Sequence, residues 1–189
     1  MVYSSPAVVN GVVYVGSIDY KVYALNAANG AQLWNYTTNY FIESSPAVVN
    51  GVVYIGSDGL YGSNGHVYAL NATNGAELWN YLAAGSVESP PSVVGGVVYV
   101  GSADNNVYAL NASTGSPVWN YTTGGYVWSS PAIVNGVVYV GSSDGYVYAL
   151  VSSSVIPEFP TLLFLPTFTL ATLMALVICK RKRPDFFRK

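Results

Sequence analysis

The sequence predicts an all-β protein: a β-propeller of about four four-stranded blades, the last incomplete, followed by one C-terminal transmembrane helix. Three observations carry this. A strand-turn-strand phrase recurs four times, as VNGVVYVGS from Val9, VNGVVYIGS from Val49, VGGVVYVGS from Val94 and VNGVVYVGS from Val134. The units containing it open at Ser4, Ser44, Ser89 and Ser129, with spacings of 40, 45 and 40 residues, which is blade length. Finally, residues 161–179 form an uncharged, mostly apolar run.

Each unit reads as four strands. A short apolar run (Ala7–Val9 in the first) meets Asn10-Gly11, and a second run follows from Val12 to Gly16. Asn-Gly between β-branched runs signals a two-residue type I′ hairpin, because both central residues need positive φ. Gly95-Gly96 serves the third unit in the same way. A polar turn holding Asp19, Asn64, Asp104 or Asp144 leads into VYAL, the third strand. A further turn through Gly30, Gly75 or Gly115 leads into the outer strand carrying Trp34, Trp79 or Trp119. The second unit's five extra residues fall around Leu60 to Gly65, in one longer loop that also holds His66.

The strands are apolar on both faces: Val12 and Tyr14 point one way, Val13 and Val15 the other. A sheet with one wet face alternates apolar with polar; a sheet covered on both sides does not. Stacked blades meet that condition.

The stretches ALNAANGAQLW (Ala24–Trp34), ALNATNGAELW (Ala69–Trp79) and ALNASTGSPVW (Ala109–Trp119) resemble the tryptophan-docking motif of pyrroloquinoline-quinone-type propeller repeats. Ala, Gly and Trp match the pattern. Its Asp is Asn in every copy (Asn26, Asn71, Asn111), and its Thr survives only at Thr114. The resemblance covers residues 4 to 150. It implies a ring, mostly eight-bladed in that family, in which each Trp packs on the next blade, so Gly30, Gly75, Gly115, Trp34, Trp79 and Trp119 are the expected docking residues. Some members are quinoprotein dehydrogenases; many others are non-catalytic surface or envelope-assembly proteins.

The blade count sets a constraint. The chain starts partway through a unit, and the fourth unit ends at ALVSSSV without a docking Gly or a Trp strand. Three arrangements meet this: a truncated gene product, half of an eight-bladed ring completed by a second copy (a homodimer), or a tight four-bladed ring. An open arc would expose apolar faces at both ends; of the three arrangements the first two are preferred.

Charge is segregated. The chain is 51% hydrophobic and 8% charged, and six of its seven basic residues lie in the last ten positions. The acidic repeat region excludes nucleic acid as a partner, which would need a basic patch. With no cysteine before Cys179, the compartment cannot be read from disulfides.

The expected domains are the repeats (1–151), a linker with a Pro-Glu-Phe motif (152–160), a transmembrane helix (161–179) and a basic cytoplasmic tail (180–189). Nineteen helical residues span about 28 Å, close to the hydrocarbon thickness of a bilayer. Lys180, Arg181, Lys182 and Arg183 follow as a basic anchor, so the tail stays inside and the propeller outside. Pro157, Glu158, Phe159 and Pro160 before the span, with the basic cluster after it, resemble an archaeal C-terminal sorting signal of the Pro-Glu-Phe type. That resemblance implies an archaeosortase-type processing enzyme as a partner besides the membrane, and covalent re-anchoring after cleavage. Met1–Asn10 has neither the basic start nor the apolar core of a secretory signal, so an incomplete N-terminus is expected.

Candidate chemistry is sparse. His66 is the only histidine and reads as a solvated loop residue rather than a metal ligand. Cys179 has no partner for catalysis. Asp19, Asp104 and Asp144 at matching turns read as caps of their own turn backbone rather than a cation site. No catalytic, cofactor-binding or metal residue is assigned. The adjacent cysteine pair of quinoprotein dehydrogenases is missing. Asn35, Asn71, Asn111 and Asn120 open N-x-S/T sequons, of which Asn35 and Asn120, beyond the Trp, suit a glycan best. The expected function is a non-catalytic, membrane-anchored surface propeller that binds or scaffolds envelope components. The alternative is a fragment of a quinone-dependent dehydrogenase.

Overall fold

The computed structural model describes residues 1–151 apart from Ser63. The four hairpin signals form as expected: Asn10 and Gly11 adopt φ of 50° and 75°, and Asn50-Gly51, Gly95-Gly96 and Asn135-Gly136 repeat the geometry. This positive φ pair matches the twist of the flanking strands and fixes their register, Val9 opposite Val12 in the first hairpin.

Each hairpin grows into an antiparallel meander. The first sheet is β1 (Ala7–Val9), β2 (Val12–Ser17), β3 (Lys21–Asn26) and β4 (Gln32–Thr37), hydrogen-bonded in that order. The second is β5 (Ala47–Val49), β6 (Val52–Ser57), β7 (His66–Asn71) and β8 (Glu77–Leu82). The third is β9 (Ser92–Val94), β10 (Val97–Gly101), β11 (Asn106–Asn111) and β12 (Pro117–Thr122). The fourth is β13 (Ala132–Val134), β14 (Val137–Gly141) and β15 (Val147–Val151), three strands among the described residues. The short innermost strands β1, β5, β9 and β13 lie side by side in series, as the inner edges of propeller blades do.

The core lies between the sheets, not within them. One buried cluster joins Tyr14, Val22 and Trp34 of the first blade to Val53, Ile55 and Leu70 of the second. A second repeats the arrangement between blades two and three, and a third between blades three and four. This is why both faces of each strand are apolar: one meets the preceding blade and one the following blade.

The docking tryptophans close these seams. Trp34 donates its indole N–H to the Ala72 carbonyl at 2.9 Å, and Trp79 donates to Ala112 at the same distance. Tyr14 and Tyr54 add their hydroxyls to the same two carbonyls. Each indole lies on the glycine of the next blade. A Cβ built on Gly75 would sit 2.6 Å from the Trp34 ring, and one on Gly115 2.6 Å from the Trp79 ring. Glycine is therefore required twice there, for positive φ and for close approach. Asn26, Asn71 and Asn111 take the place of the motif's Asp by accepting from the N–H two residues on, so the turn survives the replacement.

Two expectations change. His66 opens β7 rather than sitting in the loop, paired opposite Ser57. The extra residues make a tight irregular turn at Leu60–Gly62 instead, with Tyr61 at a left-handed φ of 52°. Trp119 is half-buried, unlike Trp34 and Trp79; the position that corresponds to Ala72 and Ala112 is residue 152, which lies outside the described residues. The expected transmembrane helix at 161–179, the Pro-Glu-Phe motif and the basic anchor also lie outside them. Among the described residues no helix is long and apolar enough to cross a membrane.

Trp79→Ala should destabilise the protein by about 3–5 kcal/mol, as truncating a buried aromatic does. Trp128→Ala, on a ring left 49% exposed, should cost under about 1 kcal/mol. Equal losses in denaturant titrations would place the seams elsewhere.

Candidate functional site

A meander sends its connections to two opposite rims. The hairpin turns and the docking-motif turns share one. The β2–β3, β6–β7, β10–β11 and β14–β15 turns share the other with the segments that lead into each inner strand. Backbone hydrogen bonds tie those segments to the turns: Ile18 N–H to Met1, Asp58 N–H to Phe41, Ala103 N–H to Ser86 and Ser143 N–H to Tyr126. The serine that opens each unit anchors this rim from below. Ser4, Ser44 and Ser129 accept the N–H of Gly16, Gly56 and Gly141, the glycines near the ends of β2, β6 and β14.

This second rim carries the chemistry. Of the seven carboxylates before residue 152, Asp19, Glu43, Asp58, Glu88, Asp104 and Asp144 lie on it, and only Glu77 on the other. It also exposes aromatic rings. Tyr20 stacks on Phe41 with ring centroids 5.0 Å apart, and Tyr126 pairs with Trp128 at 5.2 Å. Tyr61 projects from the longer turn fully into solvent. The residue before each opening serine falls at one register position, giving Tyr3, Glu43, Glu88 and Trp128 on successive blades.

The turn aspartates behave as caps. Asp104 accepts from the Asn106 N–H, the Tyr108 hydroxyl and Ala84 N–H of the preceding connection. Asp144 repeats all three contacts with Tyr146, Tyr148 and Gly124. Asp19 accepts from Tyr23. Burial alone would raise the Asp19 and Asp144 carboxyls, but the tyrosine hydroxyls and neighbouring donors outweigh it and hold both below the usual range. His66 stacks on Tyr68, with its Nε2 3.5 Å from the Asn39 side chain.

Asp58 is the functional candidate that the repeat pattern hides. It occupies the second unit's irregular turn, where the other units carry Ile18, Ala103 and Ser143. Its Oδ1 is buried with no hydrogen-bond partner among the described residues. Burial, and then the charges of Glu88 and Glu43, push its carboxyl up to about 7. Glu88 is raised by burial and by Glu43. These three share one field at the axis side of the rim. Among the described residues, however, no group of three His, Cys, Asp or Glu side chains is placed to hold a metal ion. The turn aspartates are engaged by hydroxyl and backbone donors.

The sequon residues Asn35, Asn111 and Asn120 are exposed and Asn71 is half-buried. Asn35 and Asn120 stand on the outer strands β4 and β12, away from the seams.

Stacked four-stranded meanders joined by docked tryptophans define a β-propeller repeat protein. The family whose sequence pattern matches is described as outer membrane protein assembly factor BamB, over residues 2–88 and 63–154, and the chain belongs to it. Among solved structures, BamB from Moraxella catarrhalis is similar at 21% identity and a TM-score of 0.67, covering 79% of this chain and 49% of that one. A quinohemoprotein alcohol dehydrogenase from Pseudomonas putida HK5 is similar at 23% identity and 0.65, with 77% and 32% covered. The computationally designed Ika4 protein is similar at 16% and 0.69, with 79% and 89% covered. The chain thus spans about half of the BamB structure and a third of the dehydrogenase. No curated protein matches it in sequence.

Asp58 and Glu88 give stability a definite pH dependence. A carboxyl raised in the fold from its ordinary 3.8 to about 7 favours folding while protonated. That contribution is complete below about pH 4 and is lost as pH rises through 7. Thermal melting should therefore be higher at pH 5 than at pH 8, and Asp58→Asn should remove most of the difference. An unchanged difference in the variant would contradict the burial of Asp58.

Proposed function

We propose that the chain is a non-catalytic propeller that binds or scaffolds other components of the cell envelope through its aromatic rim. The observation that carries this reading is the set of exposed rings Tyr20, Phe41, Tyr61, Tyr126 and Trp128 on a single rim. Large rings with a polar tip bury area at little entropic cost, and so they anchor protein contacts. Membership of a family described by an envelope-assembly factor supports the same reading. The engaged turn aspartates give no support to a dehydrogenase.

In this proposal the propeller lies on the extracellular face. Residues 161–179 anchor it, Lys180–Arg183 hold the tail in the cytoplasm, and Pro157–Pro160 are the motif that a processing enzyme reads. Asn35 and Asn120 would carry glycans on outer strands, leaving the rim clear.

One experiment weighs the two readings. The full chain in detergent is mixed with pyrroloquinoline quinone and calcium, then assayed by absorbance and dye-linked alcohol oxidation. The expected outcome is the spectrum of free quinone and no oxidation; bound-cofactor absorbance with turnover would establish the dehydrogenase instead. In parallel, Tyr126→Ala/Trp128→Ala should lose envelope species captured by whole-cell crosslinking without lowering the melting temperature. Unchanged crosslinking would remove the rim from the proposal.

A further inference from the structure

The two aromatic pairs of the rim stand in unlike electrostatic surroundings. The connection carrying Tyr126 and Trp128 meets the turn of Asp144, whose carboxylate already accepts from Tyr146, Tyr148 and Gly124. The connection carrying Phe41, on which Tyr20 stacks, meets the irregular turn of the second unit instead. Asp58 there donates its N–H to the Phe41 carbonyl at 2.9 Å, and Glu43 follows two residues after Phe41. Gly59 donates its N–H to Ser86 Oγ at 3.1 Å, two residues before Glu88. The turn thus pins the segments entering blades two and three. It also gathers three carboxylates: Glu88 and Glu43 act on Asp58, and Glu43 acts on Glu88.

None of the three is neutralised within the described fold. Asp58 Oδ1 is buried without a partner, and Glu43 and Glu88 accept no hydrogen bond and form no ion pair among the described residues. Lys21 is the only Lys or Arg before residue 152, and its charge acts on Asp19. Rings flank the carboxylates: Tyr20 and Phe41 are 40% and 42% exposed, and Tyr61, three residues beyond Asp58, is 99% exposed. Like charges held together and rings left in water are both unfavourable, and one kind of group relieves both. A guanidinium is planar and weakly hydrated, so it stacks on a ring while its five N–H donors reach carboxylates. An ammonium is more strongly hydrated and cannot stack. A neutral or anionic group leaves the carboxylates uncompensated.

We infer that this patch docks an arginine-bearing segment of a partner protein, its guanidinium bonded to Glu43 and Glu88 and packed against the Tyr20–Phe41 pair. The inference rests on the aromatic-rim reading of function and names the kind of partner that the rim takes. Charge complementarity selects the occupant: three uncompensated carboxylates beside exposed rings fit a cation that can also stack. Binding is then linked to protons. The charges that act on Asp58 are those of Glu88 and Glu43, and both disfavour its ionised form. A bound cation reverses that balance, so Asp58 gives up its proton as the segment docks, and docking is tighter above neutral pH than below it.

The test is calorimetric titration of the full chain in detergent with a capped Gly-Arg-Gly-Arg-Gly peptide at pH 6 and pH 8. The peptide should bind, more tightly at pH 8, and buffers of different ionisation enthalpy should reveal a released proton. Glu43→Gln/Glu88→Gln should weaken binding at least about tenfold through lost charge-assisted hydrogen bonds. Phe41→Ala should weaken it about threefold or more through lost stacking. Glu77→Gln removes one charge from the opposite rim and should leave affinity within about twofold. The pH arm and a Gly-Lys-Gly-Lys-Gly arm use the unaltered chain, so they decide even where a variant fails to fold. No binding, equal affinity for the lysine peptide, equal affinity at the two pH values, or equal binding by Glu43→Gln/Glu88→Gln each overturns the inference. Binding that appears only after Lys180, Arg181, Lys182 and Arg183 are replaced by Gln would make the chain's own tail the occupant and overturns it too. Should the peptide fail while Tyr126→Ala/Trp128→Ala still loses its envelope crosslinks, this inference falls and the aromatic-rim reading stands.

Discussion

The structure depends on one contact: a tryptophan lying across the glycine of the next blade, with its N–H on that blade's carbonyl. A sheet with apolar residues on both faces needs cover on both sides. Here each sheet acquires its core only from its neighbours, as three separate clusters between blades show. Stability is then a sum over seams, as in any array whose units touch only adjacent units. The indole fixes the distance and the rotation between blades together, since it is bonded at one edge and stacked on its face.

The same contact separates architecture from function. The seams use one rim's docking turns and the faces of the strands, while the opposite rim is left to loops. That rim holds six carboxylates and the exposed rings. Its turns are held by aspartate caps and by backbone bonds to the preceding connections, so the rings stand on a fixed base. A surface of this kind suits recognition. The acids do not converge into a metal-binding group among the described residues.

Repetition made the fold legible in the sequence. Asn-Gly pairs located the hairpins, and Gly-Trp pairs located the outer strands and the seams, because turn φ values and close approach leave few residue choices. The rule that turn aspartates cap their own backbone also applied at Asp104 and Asp144. The opening serines marked the period, but their role, accepting a glycine N–H from an adjacent strand, is a tertiary contact with no local signature. Asp58 has no signature in the sequence, because it stands in the one irregular turn and its perturbation comes from burial and from Glu88 and Glu43 on other segments. His66 opens a strand rather than ending a loop for the same reason: an insertion shifts the boundary of the strand that follows it. Trp119 fits the docking pattern in sequence, and the residue that corresponds to its carbonyl partner lies outside the described residues.

Hydrogen exchange followed blade by blade in Trp34→Ala tests the central claim most directly. If seams are the units of stability, exchange should quicken in β2, β3, β6 and β7, on both sides of the altered seam, and stay slow in β10 and β11. Faster exchange confined to β4, or raised equally in all four blades, would contradict it.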